Sequence, residues 1–414
     1  MATQLSRSFG EQGNQRKFTI SVWVKRSKIS SGTQAIMGSG GSGAYASNMY
    51  FMSSDEIEVW NWFNSAYNGR YRTSAKFKDV NAWYHIVIAV DTTQATDTDR
   101  FKLYVNGELI TAYAIRNNAS QNQTFEIGHN GTHYIGGYGN GAEFEGLMSH
   151  FHYCDGYQYQ ASDFGETDST TGEWKIKVDP SVQYGTTGHF ILKDGNSVTD
   201  QSGLSHNWTV ANGTLTKTED NPSNIFATLN PLYTFDSALS YTKGNTVLAY
   251  SGSGADSWTT RYAFSTLGMT SGKYYAETKI AAIGTNQMYV MGIISDPSEN
   301  AVNSSFGYLS NAYAYYCADG RIISGASDLQ TGIGTATTND VIGLAFDADN
   351  GTMQLYKNGS AIGSQVTGIP VGDRTWHFGS NFYSTGKIAW NFGNGYFEET
   401  AVSSAGTNAS GNGI

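Results

Sequence analysis

The sequence predicts an all-β chain built as two antiparallel β-sandwiches, and three observations carry that prediction. Apolar and polar residues alternate with a period of two, as where Phe18, Ile20, Val22 and Val24 interleave with Thr19, Ser21, Trp23 and Lys25. Runs of this kind recur at intervals of about 8–12 residues, separated by Gly, Asn, Asp and Ser. No stretch of about twelve residues has helical spacing, so the crossover helices that a parallel sheet requires are not expected.

Taken in order, the strands justify themselves by composition. Residues 18–25 are followed by the alternating, β-branched run Trp83 to Val90 and by Phe101 to Val105. Asn106-Gly107 then reads as a type I′ hairpin turn, because both central positions need positive φ. A second such turn, Asn358-Gly359, lies far along the chain, and each is preceded by a strand ending in Asp: Asp91 in the first case, Asp347 in the second. Two hairpins of one design suggest two sandwiches built on similar physics.

Composition bounds the function. The 414 residues carry 25 Lys and Arg against 35 Asp and Glu, a net charge of −10, with no basic run. Nucleic acid and anionic membrane surfaces are therefore not the expected partners. The longest apolar stretches, such as residues 86–90, have strand length, so no membrane insertion is expected. The first eighteen residues lack the apolar core of a secretion signal, and Sec-type export is not expected either. Cys154 and Cys317 read as two buried free thiols.

Several motifs resemble known families. FTISVWVK at 18–25, AWYHIVIAVD at 82–91, LYVNGEL at 103–109, FEIG at 125–128 and FEGL at 144–147 resemble, in order and spacing, a laminin G-like, concanavalin-type jelly roll. GKYYAE at 272–277, VIGLAFD at 341–347 and GTMQLYKNG at 351–359 resemble a SPRY domain, another two-sheet sandwich. The segment DGYQYQASDFG at 155–165, with TGEW at 171–174 and YGTTGHF at 184–190, is similar to proteins of tailed, marine-type bacteriophages. In those a jelly roll precedes a SPRY-like sandwich. That resemblance implies a virion surface protein made in the host cytoplasm, either a capsid decoration or accessory subunit or a tail-fibre adhesin. It also implies other virion proteins and host surface glycans as partners, and a homo-oligomer.

The expected domains are a jelly roll over residues 1–215, a linker at 216–230, a SPRY-like sandwich over 231–400 and a flexible tail at 401–414. Residues 186–215 resemble the first strand and loop of related jelly rolls and are expected to close the sandwich from behind, which leaves 166–185 as an excursion.

An enzymatic reading rests on the concanavalin-type hydrolases, which place carboxyl groups at alternate positions of one strand. Glu56 and Glu58 fit the first two positions, but Trp60 occupies the third, so no catalytic residue is assigned, and the pair reads as a solvated face. A jelly-roll glycoside hydrolase or polysaccharide depolymerase is the alternative. His150 and His152 share a strand face and suggest a zinc pair without further ligands; they read better as outer-face polar residues. Gly38 to Gly43 and Gly136 to Gly141 read as loops. Asp91, Asp97 and Asp99 crowd one connection and are the candidate ligands for calcium, the one cofactor left open.

Aromatic residues beside polar ones are the candidates for glycan or partner binding, since sugars stack their C–H faces on rings. They are Trp60, Trp62, Tyr67, Arg70 and Tyr71 in the first sandwich, with Trp60 and Trp62 on one face. In the second they are Tyr308, Tyr313 and Tyr315.

Overall fold

A computed structural model describes residues 3–138, 141–193, 197–234, 236–252, 257–258, 260–284, 289–297, 305–403 and 405–407. The chain divides into two units, Met1–Ile225 and Phe226–Ile414. Each is a sandwich of antiparallel strands.

In the first unit an eight-stranded sheet runs in the order Tyr113–Asn117, Ala66–Thr73, Ile57–Phe63, Tyr45–Phe51, Gln34–Ser42, Thr132–Ile135, Gln4–Ser8, Thr209–Asn212. A six-stranded sheet runs His189–Ile191, Gly146–Asp155, Lys17–Arg26, Trp83–Asp91, Phe101–Val105, Glu108–Leu109. One core joins them: Phe18, Ile20 and Val22 from the second sheet pack with Met49, Phe51 and Val59 from the first. The segment 186–215 contributes an edge strand to each sheet, His189–Ile191 against Gly146–Asp155 and Thr209–Asn212 against Gln4–Ser8.

The outer face of the six-stranded sheet is also buried. Val87, Tyr104 and Cys154 on that face pack against Ala161, Phe164 and Val182, while Trp23 and Trp83 pack against Ile176. The covering layer includes a small hairpin, Gly165–Thr167 with Trp174–Ile176. Trp174 lies across Gly107, where a Cβ would meet its ring at 2.5 Å, so this glycine serves the close approach as well as the turn. Its indole N–H donates to Nδ1 of His85 at 2.9 Å. An indole only donates, so His85 is the neutral tautomer whose Nε2–H points to Ser21 Oγ at 2.8 Å.

The segment read from sequence as a linker begins as part of this cover. Asp220 is 3% exposed; its carboxylate accepts from Lys25 Nζ at 2.7 Å and Trp83 Nε1 at 3.0 Å. A charged stretch looked solvent-loving, but this carboxylate is consumed by a lysine that the strand places on the covered face. Removing one partner of such a buried pair costs roughly 3–5 kcal/mol, because the other charge is left stranded. Of the expected flexible tail, Ala401 pairs with Tyr396 and Val402 packs near Phe397; residues 404 and 408–414 lie outside the described residues.

Two further expectations need correction. Gly38 to Ser42 belongs to a strand rather than a loop, because the face above Gly38 is filled by Tyr138 and Asn48, leaving no room for a Cβ. His150 and His152, read as outer-face polar residues, are both buried: a bulge lies between Ser149 and His152, and His152 stacks on Phe190 at 3.9 Å beneath the covering layer. Among the described residues no three His, Cys, Asp or Glu side chains gather as a metal site.

In the second unit a seven-stranded sheet runs Leu239–Thr242, Val247–Tyr250, Gly386–Asn391, Lys273–Ile283, Val341–Asp347, Thr352–Lys357, Ser360–Val366. It packs on a six-stranded sheet, Tyr262–Phe264, Trp376–Phe382, Tyr289–Ser295, Ala312–Tyr316, Arg321–Ser324, Ser327–Gln330. Leu344, Ile280 and Trp390 meet Ile293, Tyr315 and Phe378 in the core. Cys154 and Cys317 are buried free thiols, one in each unit.

The two NG hairpins are the same device. Asn106 and Asn358 have φ of 48° and 51°, followed by Gly107 and Gly359 at 84° and 82°. Each asparagine docks on the neighbouring strand, donating its N–H to His85 O or Val341 O at 2.8 Å. Each also accepts the same residue's N–H on its side chain, at 2.7 and 2.8 Å.

Burial pushes the ring pKa of His85, His133 and His189 down to about 3, and that of His152 well below the ordinary value. His133 accepts the Gly128 N–H on Nε2 at 3.0 Å and faces Gly131 O through Nδ1 at 3.0 Å, so protonation breaks a bond, as it does at His85. The unfolded chain takes up protons near pH 6.5 and the folded one only near pH 3. Stability of the first unit is therefore full above about pH 7 and falls with pH, by up to about 1.4 kcal/mol per pH unit for each histidine. Urea midpoints followed by tryptophan fluorescence are expected to drop steeply between pH 7 and 5; an unchanged midpoint contradicts the histidine burial.

Candidate functional site

With one outer face of the first unit covered, the outer face of its eight-stranded sheet is where, among the described residues, aromatic side chains such as Trp60, Trp62 and Tyr67 keep some exposure. The Ile57–Phe63 strand alternates Ile57 and Val59 into the core with Glu58, Trp60 and Trp62 outward, and Asn61 is buried inward, where it accepts from Ser47 Oγ. Its partner turns back through Asn64 and Ser65, whose φ values of 53° and 60° suit a tight hairpin.

The partner strand carries a bulge. Trp62 faces Tyr67 and Trp60 faces Arg70, so one residue between the tryptophans opposes two, Asn68 and Gly69. In a regular strand Tyr67 and Arg70 would point to opposite faces. The bulge at Gly69, φ 107°, turns Tyr67, Arg70 and Arg72 all outward, beneath Trp62, Trp60 and Glu58.

The resulting cluster is aromatic and polar together. Tyr67 meets Trp62 edge to face at 4.7 Å and Trp60 at 6.0 Å, and the Arg70 guanidinium sits 4.4 Å above the Tyr67 ring. Trp60 Nε1 donates to Tyr50 OH at 2.6 Å, which donates onward to Glu58 at 3.1 Å. Glu58 takes Arg70 on two nitrogens at 3.3 Å and Arg72 Nε at 2.5 Å. Burial first, then Glu58, pushes the Tyr50 hydroxyl pKa up. The result is a fixed platform with Tyr67, 39% exposed, at its rim.

Glu58 is thus wholly buried, not part of a solvated face, because two arginines and a tyrosine close over it. Glu56 is turned to Ser54 and Lys76 instead. Tyr50 and Arg72 belong to the cluster and went unnoticed in the sequence, although the alternation that aligns Trp60 with Trp62 also aligns Tyr50 with Asn48 and Arg70 with Arg72.

Other candidates lie elsewhere. Tyr71 points into the core and stacks on Phe101 at 3.7 Å, as the bulge requires. In the second unit Tyr313 and Tyr315 alternate toward the core, Tyr313 against Trp376 and Tyr315 donating to Gly334 O at 2.7 Å. Tyr308 alone of the three is exposed, at 47%.

The three aspartates proposed for calcium do not converge. Asp91 is 2% exposed and caps the turn after its strand, accepting from Thr93 N at 3.1 Å and Gln94 Nε2 at 2.9 Å, with Lys17 at 3.5 Å. Asp97 accepts from Asn118 and Asp99 pairs with Lys102. Asp347 in the second unit repeats the Asp91 arrangement, capping Asp349 and Asn350 beside Lys273. The crowding of acids therefore reflects turn chemistry.

The bulge carries the site, and it depends on a glycine. A Cβ at Gly69 would meet Phe125 at 3.3 Å and hold a side chain at positive φ. Gly69→Ala is expected to lower stability by about 1–3 kcal/mol in urea denaturation; a neutral effect contradicts this geometry.

Comparison with known proteins finds likenesses to parts of the chain. Residues 5–157 match the laminin G-type model of the concanavalin A-like lectin/glucanases superfamily. A Ran-binding proteins 9/10 homolog of Drosophila melanogaster is 33% identical over 100 residues, 24% of this chain; the chain spans about a tenth of that relative's length. The chain is also similar to the SPRY domain of human HERC1, at 19% identity and a TM-score of 0.33, over 39% of this chain and 96% of that one. The PSpry domain of TRIM65 matches at 8% identity and a TM-score of 0.32, over 40% of this chain and 88% of that one. The chain is all-β, and residues 5–157 of its first unit are similar to the concanavalin A-like lectin/glucanases superfamily.

Proposed function

We propose that this chain is a non-enzymatic recognition protein of a tailed-phage particle that holds host surface glycans on the open face of its first sandwich. Concanavalin-type and SPRY domains go with carbohydrate or protein binding in general. The observation that carries the finer reading is the alignment of Trp60, Trp62, Tyr67 and Arg70 on the outer face of the eight-stranded sheet, where each keeps some exposure among the described residues. Flat rings bordered by arginine and tyrosine donors suit the apolar and hydroxyl faces of a sugar.

Turnover is not part of the proposal. Glu58 is gripped by Arg70 and Arg72 and shielded from solvent, and the outward neighbours along its strand are Trp60 and Trp62, so a proton-donating carboxyl opposite it is not what this face supplies. Binding is proposed to need no cofactor. The placement on a virion, with other virion proteins as partners in a homo-oligomer, rests on the phage-like segments between residues 155 and 190.

A glycan array with the intact chain tests the face. Wild type is expected to bind host-surface polysaccharide and Trp62→Ala to lose about tenfold or more, consistent with roughly 1–2 kcal/mol for one stacked ring. Neither protein is expected to raise reducing ends from the bound polysaccharide; release that disappears in Glu58→Gln would establish the hydrolase alternative. Cryo-EM of whole particles is expected to find the sandwiches at the surface: a lattice over the head means decoration, density only at the tail means adhesin, and absence from both removes the virion role.

A further inference from the structure

The second unit holds a recess that the glycan face does not involve. It has a volume of about 220 Å³ and is lined by Trp258, Tyr289, Tyr308, Tyr316, Asp319 and Arg321, with Ala318 beside them. Strand ends build it: Tyr316 closes Ala312–Tyr316 and Arg321 opens Arg321–Ser324, so the turn between them delivers Asp319. Tyr308 ends the short turn Phe306–Tyr308 and stands outward. Trp258 meets Tyr316 edge to face at 5.4 Å and Tyr383 at 5.0 Å, which fixes it as a wall.

The electrostatics select the occupant. Arg321 donates to Asp319 at 2.6 Å in the recess and to Asp328 at 3.2 Å beside it, so two carboxylates share one guanidinium and the trio carries one net negative charge at the recess wall. From residue 226 onward the chain carries 13 Asp and Glu against 8 Lys and Arg, which adds to the same sign. The faces of the aromatic walls are also negative. An anion would meet repulsion from both, and a neutral sugar would gain nothing from the surplus charge. A cation gains from both. The walls already accept one: the Arg321 guanidinium lies 5.3 Å from the Tyr316 ring centre.

We propose that this recess receives a lysine or arginine side chain of a partner protein, held between Trp258 and Tyr308 and drawn by Asp319. The long apolar stem of either residue lies along the rings while the charged head reaches the carboxylate. This makes the second unit a reader of exposed basic side chains, separate in chemistry from the first unit's face.

Calorimetric titration of the full chain tests it with three blocked tripeptides, Gly-Lys-Gly, Gly-Arg-Gly and the neutral isostere Gly-norleucine-Gly, and with methyl glucoside. The basic peptides are expected to bind saturably and the norleucine peptide about tenfold more weakly. Tyr308→Ala, at an exposed position, is expected to weaken the basic peptides about three- to tenfold, while Tyr308→Phe, which keeps the ring, stays within about twofold. Equal binding of the norleucine peptide means a merely apolar cleft and overturns the proposal. So does glucoside binding that Tyr308→Ala abolishes while the basic peptides do not bind, and so does basic-peptide binding that is indifferent to Tyr308→Ala.

Discussion

A two-sheet sandwich has two outer faces, and each must be either covered by chain or made fit for water; how the first unit meets that constraint determines everything else about it. The six-stranded sheet carries Trp23, Trp83, His85 and Cys154 outward, which water would solvate poorly, and the chain spends residues 157–184 and Asp220 on covering them. The family match ends at residue 157, where that covering begins. Among the described residues of the first unit, Trp60, Trp62 and Tyr67 on the eight-stranded sheet stay partly exposed, while Tyr138 fills the same face above Gly38 and Asn48. The outward side chains of this sheet form their own network, and that is why the recognition surface is assigned there.

Burying polar groups calls for partners, and the covering layer and the core supply several of them. Trp174 answers His85, Asp220 answers Lys25 and Trp83, and Asp55 answers the wholly buried Arg26, itself over the Phe51 ring at 4.3 Å. The local dielectric makes such pairs costly to break rather than strongly stabilising. The same economy of parts explains the two NG hairpins. A lysine, a turn-capping aspartate and a docked asparagine recur as Lys17, Asp91 and Asn106 and again as Lys273, Asp347 and Asn358.

Much of this was legible in the residues. Period-two alternation located the strands, and positive-φ asparagines located both hairpins. Alternation also put Trp60 beside Trp62. It could not say which of two faces is the core, so Tyr313 and Tyr315 were correctly placed together but face inward rather than toward a ligand. Nor could it reveal a bulge, which shifts the phase within one strand and sends Tyr71 to the core while gathering Tyr67 with Arg70. Burial of His150, His152 and Asp220 depends on partners far away in sequence, and that of Glu58 on the neighbouring strands that bring Tyr50, Arg70 and Arg72 over it; local polarity pointed the wrong way for each. Asp91, Asp97 and Asp99 looked like a calcium loop because turn caps and metal ligands draw on the same residue type.

Hydroxyl-radical footprinting of the intact protein, with and without host-surface polysaccharide, tests the division of the first unit into a covered and an open face. Free protein should label at Trp62 and Tyr67 and stay unlabelled at Trp23 and Trp83, with polysaccharide protecting Trp60, Trp62 and Tyr67 alone. Strong labelling of Trp23 or Trp83, or protection that bypasses Trp62 and Tyr67, contradicts the account.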